Sequence, residues 1–159
     1  MNKPQTPEEE KLVRIRHSMS HVMAEAVLQM FPDAQIAIGP AIEDGFYYDF
    51  ELPRSLENKD LDEITERMRK IIAQNKPFIR KEVSREEARE MFKDQKYKLQ
   101  LLDAIPEGET VSVYNQGAFT DLCRGPHVRS TKELRADAFK LMKIAGAYWR
   151  GDEHNQMLT

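Results

Sequence analysis

Glu8-Glu-Glu-Lys-Leu-Val-Arg-Ile-Arg-His17-Ser-Met-Ser-His21-Val-Met-Ala-Glu-Ala-Val-Leu-Gln-Met-Phe31 is the stretch around which the chain is organised. At about 100° per residue, Ile15, Met19, Val22, Ala26 and Met30 form one apolar stripe. His17 and His21 are four apart, so they lie one turn above each other, and they point roughly away from that stripe. Val13, Ala24 and Leu28 share the histidines' side, and Lys11, Ser18, Glu25 and Gln29 leave only a narrow polar edge. A helix that is apolar on two sides is buried on two sides. The spacing therefore predicts a central helix with one face in the core and its histidine face in a lined cleft. Taken alone, the histidine pair reads equally well as two core residues with satisfied nitrogens.

A second segment shifts that balance. Asp121-Leu-Cys-Arg-Gly-Pro-His127 holds the only cysteine of the chain and the third of its four histidines. Gly125-Pro126 forbids a continuing helix, so a turn must bring Cys123 and His127 together. The preceding residues, Ala118 to Cys123, read as a short strand with Asp121 and Cys123 on one face. Three histidines and a cysteine from two distant segments are the ligand types of a tetrahedral zinc site. They equally suit general acid–base chemistry near neutral pH.

The 159 residues are enough for one domain with a real core. Hydrophobic content of 40% and charged content of 32% are ordinary for a globular protein. No apolar run approaches the ~20 residues of a membrane span, and the polar, acidic Met1–Lys11 is no signal peptide. A lone cysteine fits a reducing, cytoplasmic setting and leaves Cys123 free as thiol or ligand. The net charge of −3 argues against a generally basic nucleic-acid-binding surface. Local basic groups remain: Lys11, Arg14 and Arg16; Arg80, Lys81 and Arg85; and Arg124, Arg129, Lys132 and Arg135.

Pro4 to Pro7 reads as a short mobile lead in which Thr6 or Thr6-Pro7 can open the first helix, and the chain is taken as one domain over 1–159 with residues 1–7 as that lead. Strands are expected at 35–38 and 45–50, a helix over 58–74 capped by Asn58 or Asp60, and a strand at 78–83. Ser84-Arg-Glu-Glu87 is a capping box before a short helix, and 94–105 reads as another, carrying Lys98. Strands follow at 110–114 and 118–123 around a hairpin-like turn, then at 139–144 and 147–150. This mixed order predicts an α+β domain whose largely antiparallel sheet cradles the histidine helix.

His17-Ser-Met-Ser-His21, Ala37-Ile-Gly-Pro40, Asp44-Gly-Phe-Tyr-Tyr-Asp49, Asp121-Leu-Cys-Arg-Gly-Pro-His127 and Phe139-Lys-Leu-Met-Lys-Ile-Ala-Gly-Ala-Tyr-Trp-Arg-Gly151, in this order, closely resemble the editing domain of bacterial threonyl-tRNA synthetase. The likeness runs from about Val13 to Thr159. The HxxxH and CxxxH pair also resembles the alanyl-tRNA synthetase editing domain, more distantly. The resemblance implies hydrolysis of the ester in seryl-tRNA mischarged for threonine. Serine is threonine less one methyl, and one methyl gives a pocket only ~1–3 kcal/mol of discrimination.

The resemblance places functional positions on His17, His21, Tyr48, Lys98, Asp121, Cys123 and His127, with Arg124 added beside the motif as a substrate-binding candidate. It implies water activation by His17, His21 or His127. Lys98 would stabilise the oxyanion or hold the ribose, Asp121 would bind the amino group or orient a histidine, and Tyr48 would line the pocket. Cys123 need not be a nucleophile, since water suffices. By itself Lys98 reads as a solvated helix lysine. No cofactor is expected for this domain; zinc at His17, His21, Cys123 and His127 is the alternative, as in the alanyl-type relatives. A parent synthetase would use ATP, magnesium and zinc elsewhere. The implied partners are the acceptor end of threonine tRNA and the remainder of a synthetase chain, from which this chain reads as a fragment. A tRNA acceptor-end or zinc-binding module without activity is the competing reading.

Overall fold

The computed structural model describes residues 6–152 and 154–159, and the expected lead over residues 1–5 lies outside them. Thr6 and Pro7 are not part of a lead. Thr6 caps the first helix, its hydroxyl accepting from the Glu9 N–H at 3.1 Å, and Pro7 is the first helical residue.

Helix α1 (Pro7–Met30) opens on Glu8, Glu9 and Glu10, whose charges favour its positive end. Its apolar stripe is buried as expected at Met19, Val22 and Ala26. It packs against α2 (Asn58–Ala73), which buries Ile64, Met68, Ile71 and Ile72. Glu57, rather than Asn58 or Asp60, takes the cap position of α2. Asp60 reaches back to accept from the Glu57 N–H at 2.8 Å and is gripped by Arg54. The capping box at Ser84 forms as written and starts α3 (Arg85–Met91); α4 (Lys96–Asp103) follows.

Among the described residues the strands come as four small antiparallel sheets rather than one. β1 (Gln35–Ile36) pairs with β4 (Phe50–Glu51), and β2 (Ala41–Ile42) with β3 (Gly45–Phe46). The largest joins β5 (Ile79–Val83), β6 (Val111–Gln116) and β7 (Phe119–Leu122) in that order. β8 (Ala147–Tyr148) pairs with β9 (Met157–Leu158). One core lies between α1, α2 and the aromatic residues Tyr48, Phe50, Phe78 and Phe119. A second, of Ala88, Phe92, Leu102, Val111 and Val113, joins α3 and α4 to the three-stranded sheet.

Three strand expectations fail locally. The expected strand 45–50 is split between two partners, Gly45–Phe46 pairing with Ala41–Ile42 and Phe50–Glu51 with Gln35–Ile36. The stretch 139–144 is not a strand: Phe139, Leu141 and Ile144 are half-buried while Met142 is exposed, and no strand pairs with it among the described residues. An apolar segment needs a neighbouring ladder to become a strand. The expected strand 147–150 stops at Tyr148, because Arg150 takes a left-handed conformation (φ 57°) and turns the chain. No helix among the described residues is long and apolar enough to cross a membrane.

Candidate active site

His17, Ser18 and His21 project from the middle of α1 toward the loop 123–128 that leaves β7. That loop can turn back because Gly125 has φ +79°. Two of its backbone groups bond to the helix. His17 Nδ1 lies 3.1 Å from the Pro126 carbonyl, and the Val128 N–H donates to Ser18 Oγ at 3.0 Å. A carbonyl only accepts, so His17 carries its hydrogen on Nδ1 and leaves Nε2 as a lone pair. Cys123 Sγ stands 3.3 Å from His17 Nε2 and 3.3 Å from His127 Nε2. The His17 and His127 rings stack with centroids 4.1 Å apart, and the His21 ring meets His127 at 4.3 Å.

Beside the imidazoles sits a charged network. Lys98 Nζ, from α4, lies 2.7 Å from Asp121 Oδ1 on β7 and donates to Tyr48 Oη at 2.9 Å. Tyr48 Oη donates in turn to Asp121 Oδ2 at 2.6 Å. His21 Nε2 lies 3.5 Å from the same oxygen. His21 Nδ1 is buried without a hydrogen-bond partner among the described residues. Tyr48 reaches this place because residue 39 is glycine: a Cβ there would stand 2.0 Å from the Tyr48 ring.

Burial governs the protonation states. It lowers the His17 pKa, which the Pro126 hydrogen bond opposes only in part. It holds His21 well below its ordinary value, with the charges of His17 and Lys98 adding to the effect. Burial, then His21 and His17, push His127 far down as well. Burial raises the Cys123 thiol to about 12 and the Tyr48 phenol well above its usual range. At neutral pH the cluster is therefore three neutral imidazoles, a thiol and a phenol. A thiol so protonated is a poor nucleophile.

The structure thus brings together seven of the eight candidate positions. Arg124 is the exception. Its side chain is 79% exposed and pairs with Glu109 at 3.1 Å, outside the network. Lys98 is no solvated helix residue: its side chain is 3% exposed. The polar edge of α1 is wet only at its ends, since Ser18 and Glu25 are buried. Ser18 is a contact residue that periodicity passed over; its signal was a hydroxyl set against a histidine inside an otherwise apolar helix face. Gln116 on β6, which no motif marked, is fully buried as well.

The donor atoms of His17, His21, Cys123 and His127 all lie within 4.8 Å of one another. Donor type and spacing fit zinc, and the Pro126 carbonyl behind His17 is the kind of outer support that metal-bound histidines have.

Residues 111–159 match the family described as the threonyl and alanyl tRNA synthetase second additional domain. Over 144 residues the chain is 60% identical to a threonine--tRNA ligase of Dehalococcoides mccartyi, covering 91% of this chain and 24% of that protein. It is 53% identical over 150 residues to the Rubrobacter xylanophilus enzyme, and 54% over 147 residues to that of Agrobacterium fabrum. The chain resembles the editing domain of bacterial threonyl-tRNA synthetase. It spans about a quarter of the length of the curated ligases it matches. The family match covers β6, β7 and the loop that carries Cys123 and His127, so the histidine helix and Lys98 rest on the ligase likenesses.

Proposed function

We propose that this domain hydrolyses the aminoacyl ester of seryl-tRNA mischarged for threonine, using an activated water. The observation that carries the reading is the junction of two networks. A cluster of neutral imidazoles, able to accept a proton, abuts a buried lysine–aspartate–tyrosine triangle that can fix charge and orientation.

Ester hydrolysis needs a base for water and positive polarisation where the oxyanion develops. His17 suits the base role. It is the least buried of the three histidines, it is neutral, and Pro126 fixes its tautomer so that Nε2 can accept. The weak S–H donor now facing that nitrogen yields readily to a water. Asp121 is sealed from solvent, its Oδ1 in an ion pair with Lys98 and its Oδ2 accepting from Tyr48, with His21 alongside. This supports the orienting role over capture of the substrate's amino group. Lys98 supplies the positive field and Tyr48 closes the wall.

A groove of about 1040 Å³ meets the candidate residues at Tyr48 and runs past the 138–147 segment, with Arg16, Lys140 and Lys143 and also Asp44 and Asp49 along it. Its apolar walls suit the terminal adenosine of a tRNA acceptor end, and its cations the phosphates. The rest of a synthetase chain would hold the remainder of the tRNA, in the cytoplasm. Zinc, when bound by His17, His21, Cys123 and His127, would lower the pKa of a bound water. Proton acceptance by His17, orientation by Asp121 and the positive field of Lys98 do not call on it.

Deacylation of seryl-tRNA and threonyl-tRNA by the domain tests the reading. Selective hydrolysis of the seryl ester, lost in His17→Ala, is expected. Equal rates on the two esters overturn it, and tight tRNA binding without turnover makes the domain a binding module.

A further inference from the structure

Ser18 is buried to 0% exposure, and its Oγ lies 3.0 Å from His127 Nδ1 and 3.0 Å from the Val128 nitrogen. The Val128 N–H can only donate, so it occupies one lone pair of the hydroxyl. The hydroxyl hydrogen then needs an acceptor. Ser20, two residues on, sends its hydrogen toward the His17 and Gly39 carbonyls, at 2.7 and 2.6 Å. Ser18 has no such carbonyl among its described hydrogen bonds; His127 Nδ1 is the acceptor within reach.

We infer that Ser18 is a positioning residue: its hydroxyl donates to His127 Nδ1 and so fixes the hydrogen of that imidazole on Nε2, facing Cys123. The rest of the chain of hydrogen bonds then has one direction. His127 Nε2–H donates to Sγ at 3.3 Å, beside the Gly125 N–H at 3.2 Å. The thiol donates to His17 Nε2 at 3.3 Å, and His17 Nδ1–H donates to the Pro126 carbonyl at 3.1 Å. The opposite choice for His127 fails twice. It would leave the buried Ser18 hydrogen without an acceptor, which is costly. It would also aim two bare nitrogens at a sulfur with a single hydrogen. His17 and His127, stacked face to face, are therefore opposite tautomers, set by two backbone groups, the Pro126 carbonyl and the Val128 amide, at the two ends of the chain.

Through Cys123 this arrangement holds the lone pair of His17 in place, and that kinetic consequence rests on the functional reading above. Partners behind metal-bound histidines contribute about 10–100-fold in affinity or activity, and the same scale is expected for Ser18 behind His127.

Nitrogen-15 NMR of the chain in chelator-treated buffer tests the assignment without any substrate. The expected spectrum shows His127 with a bare Nδ1 and a protonated Nε2, and His17 the reverse. His127 protonated on Nδ1, or the two rings alike, overturns the inference. In Ser18→Ala the His127 signals should move toward a mixture of tautomers, and kcat for seryl-tRNA should fall about 10–100-fold with KM within about twofold. Ser18→Thr, which keeps the hydroxyl, should restore both. An Ala variant with an unchanged spectrum and rate overturns the role of Ser18. The expected spectra in a chain without deacylase activity would leave the tautomers standing and count against the functional reading instead.

Discussion

Lys98 Nζ and Asp121 Oδ1 are 2.7 Å apart, with side chains only 3% and 2% exposed. Such a pair is costly to assemble and more costly to break, because removing one partner strands a buried charge. Lys98→Ala should therefore destabilise the fold by roughly 3–5 kcal/mol, in addition to any loss of turnover. A solvated helix lysine would change stability by only about ±0.5 kcal/mol, so the burial reverses what the sequence suggests for this residue. Urea unfolding measures the difference, and a shift under about 1 kcal/mol would place Lys98 among exposed charges.

Gly39→Ala probes the same triangle from behind. The added Cβ would meet the Tyr48 ring at 2.0 Å, so the ring must move and its hydrogen bond to Asp121 must stretch. Overpacking of this kind costs about 1–3 kcal/mol. Tyr48→Ala, which empties the space, should remove most of the additional penalty of Gly39→Ala in a double-mutant cycle. Additive losses would mean that the glycine and the ring are not in conflict.

Glu25 is buried on α1, and desolvation, only partly offset by Gln116 and Lys76, raises its pKa from 4.5 to about 7. Between those values the folded chain holds a proton that the unfolded chain has released, so rising pH favours unfolding there. The loss sets in above pH 4.5 and is complete above pH 7. The buried histidines act in the opposite sense. Unfolded imidazoles bind protons below 6.5 that the folded ones refuse, so their contribution is present above 6.5 and is lost as the pH falls. Glu25→Gln isolates the first effect: its stability relative to the parent chain should improve steadily from pH 5 to pH 8. A gap that stays flat across that range would show the carboxyl to be ionised throughout.

For the metal, the expectation is that protein prepared without added zinc holds less than one equivalent and keeps its deacylase activity in chelator. Metal analysis alongside the rate decides it. One zinc per chain, with activity lost on chelation and restored by zinc, would make His17, His21, Cys123 and His127 ligands.

The helices were legible because each has a periodic stripe and a stop signal; α2 and the capping box at Ser84 lie almost where the residues put them. The strand at 139–144 was not, because its apolar Phe139, Leu141 and Ile144 find no ladder, a fact about neighbours rather than about those residues. The histidine and cysteine motifs carried the imidazole cluster in plain view. Lys98 and Ser18 were harder. Nothing in the sequence around Lys98 says that α4 docks its lysine onto β7, and Ser18 acquires its importance only from residues more than a hundred positions away.

The Val128 amide has a further consequence in time rather than in space. Residues 124–128 have the composition of a fast-opening loop, yet this amide donates to a hydroxyl buried inside the central helix. Freeing it requires α1 and the loop to part, which also disassembles the core beneath. Its exchange with deuterium should therefore be as slow as that of amides in the middle of α1, set by global unfolding rather than by local fraying. The loop that presents Cys123 and His127 would then be as persistent as the helix it faces.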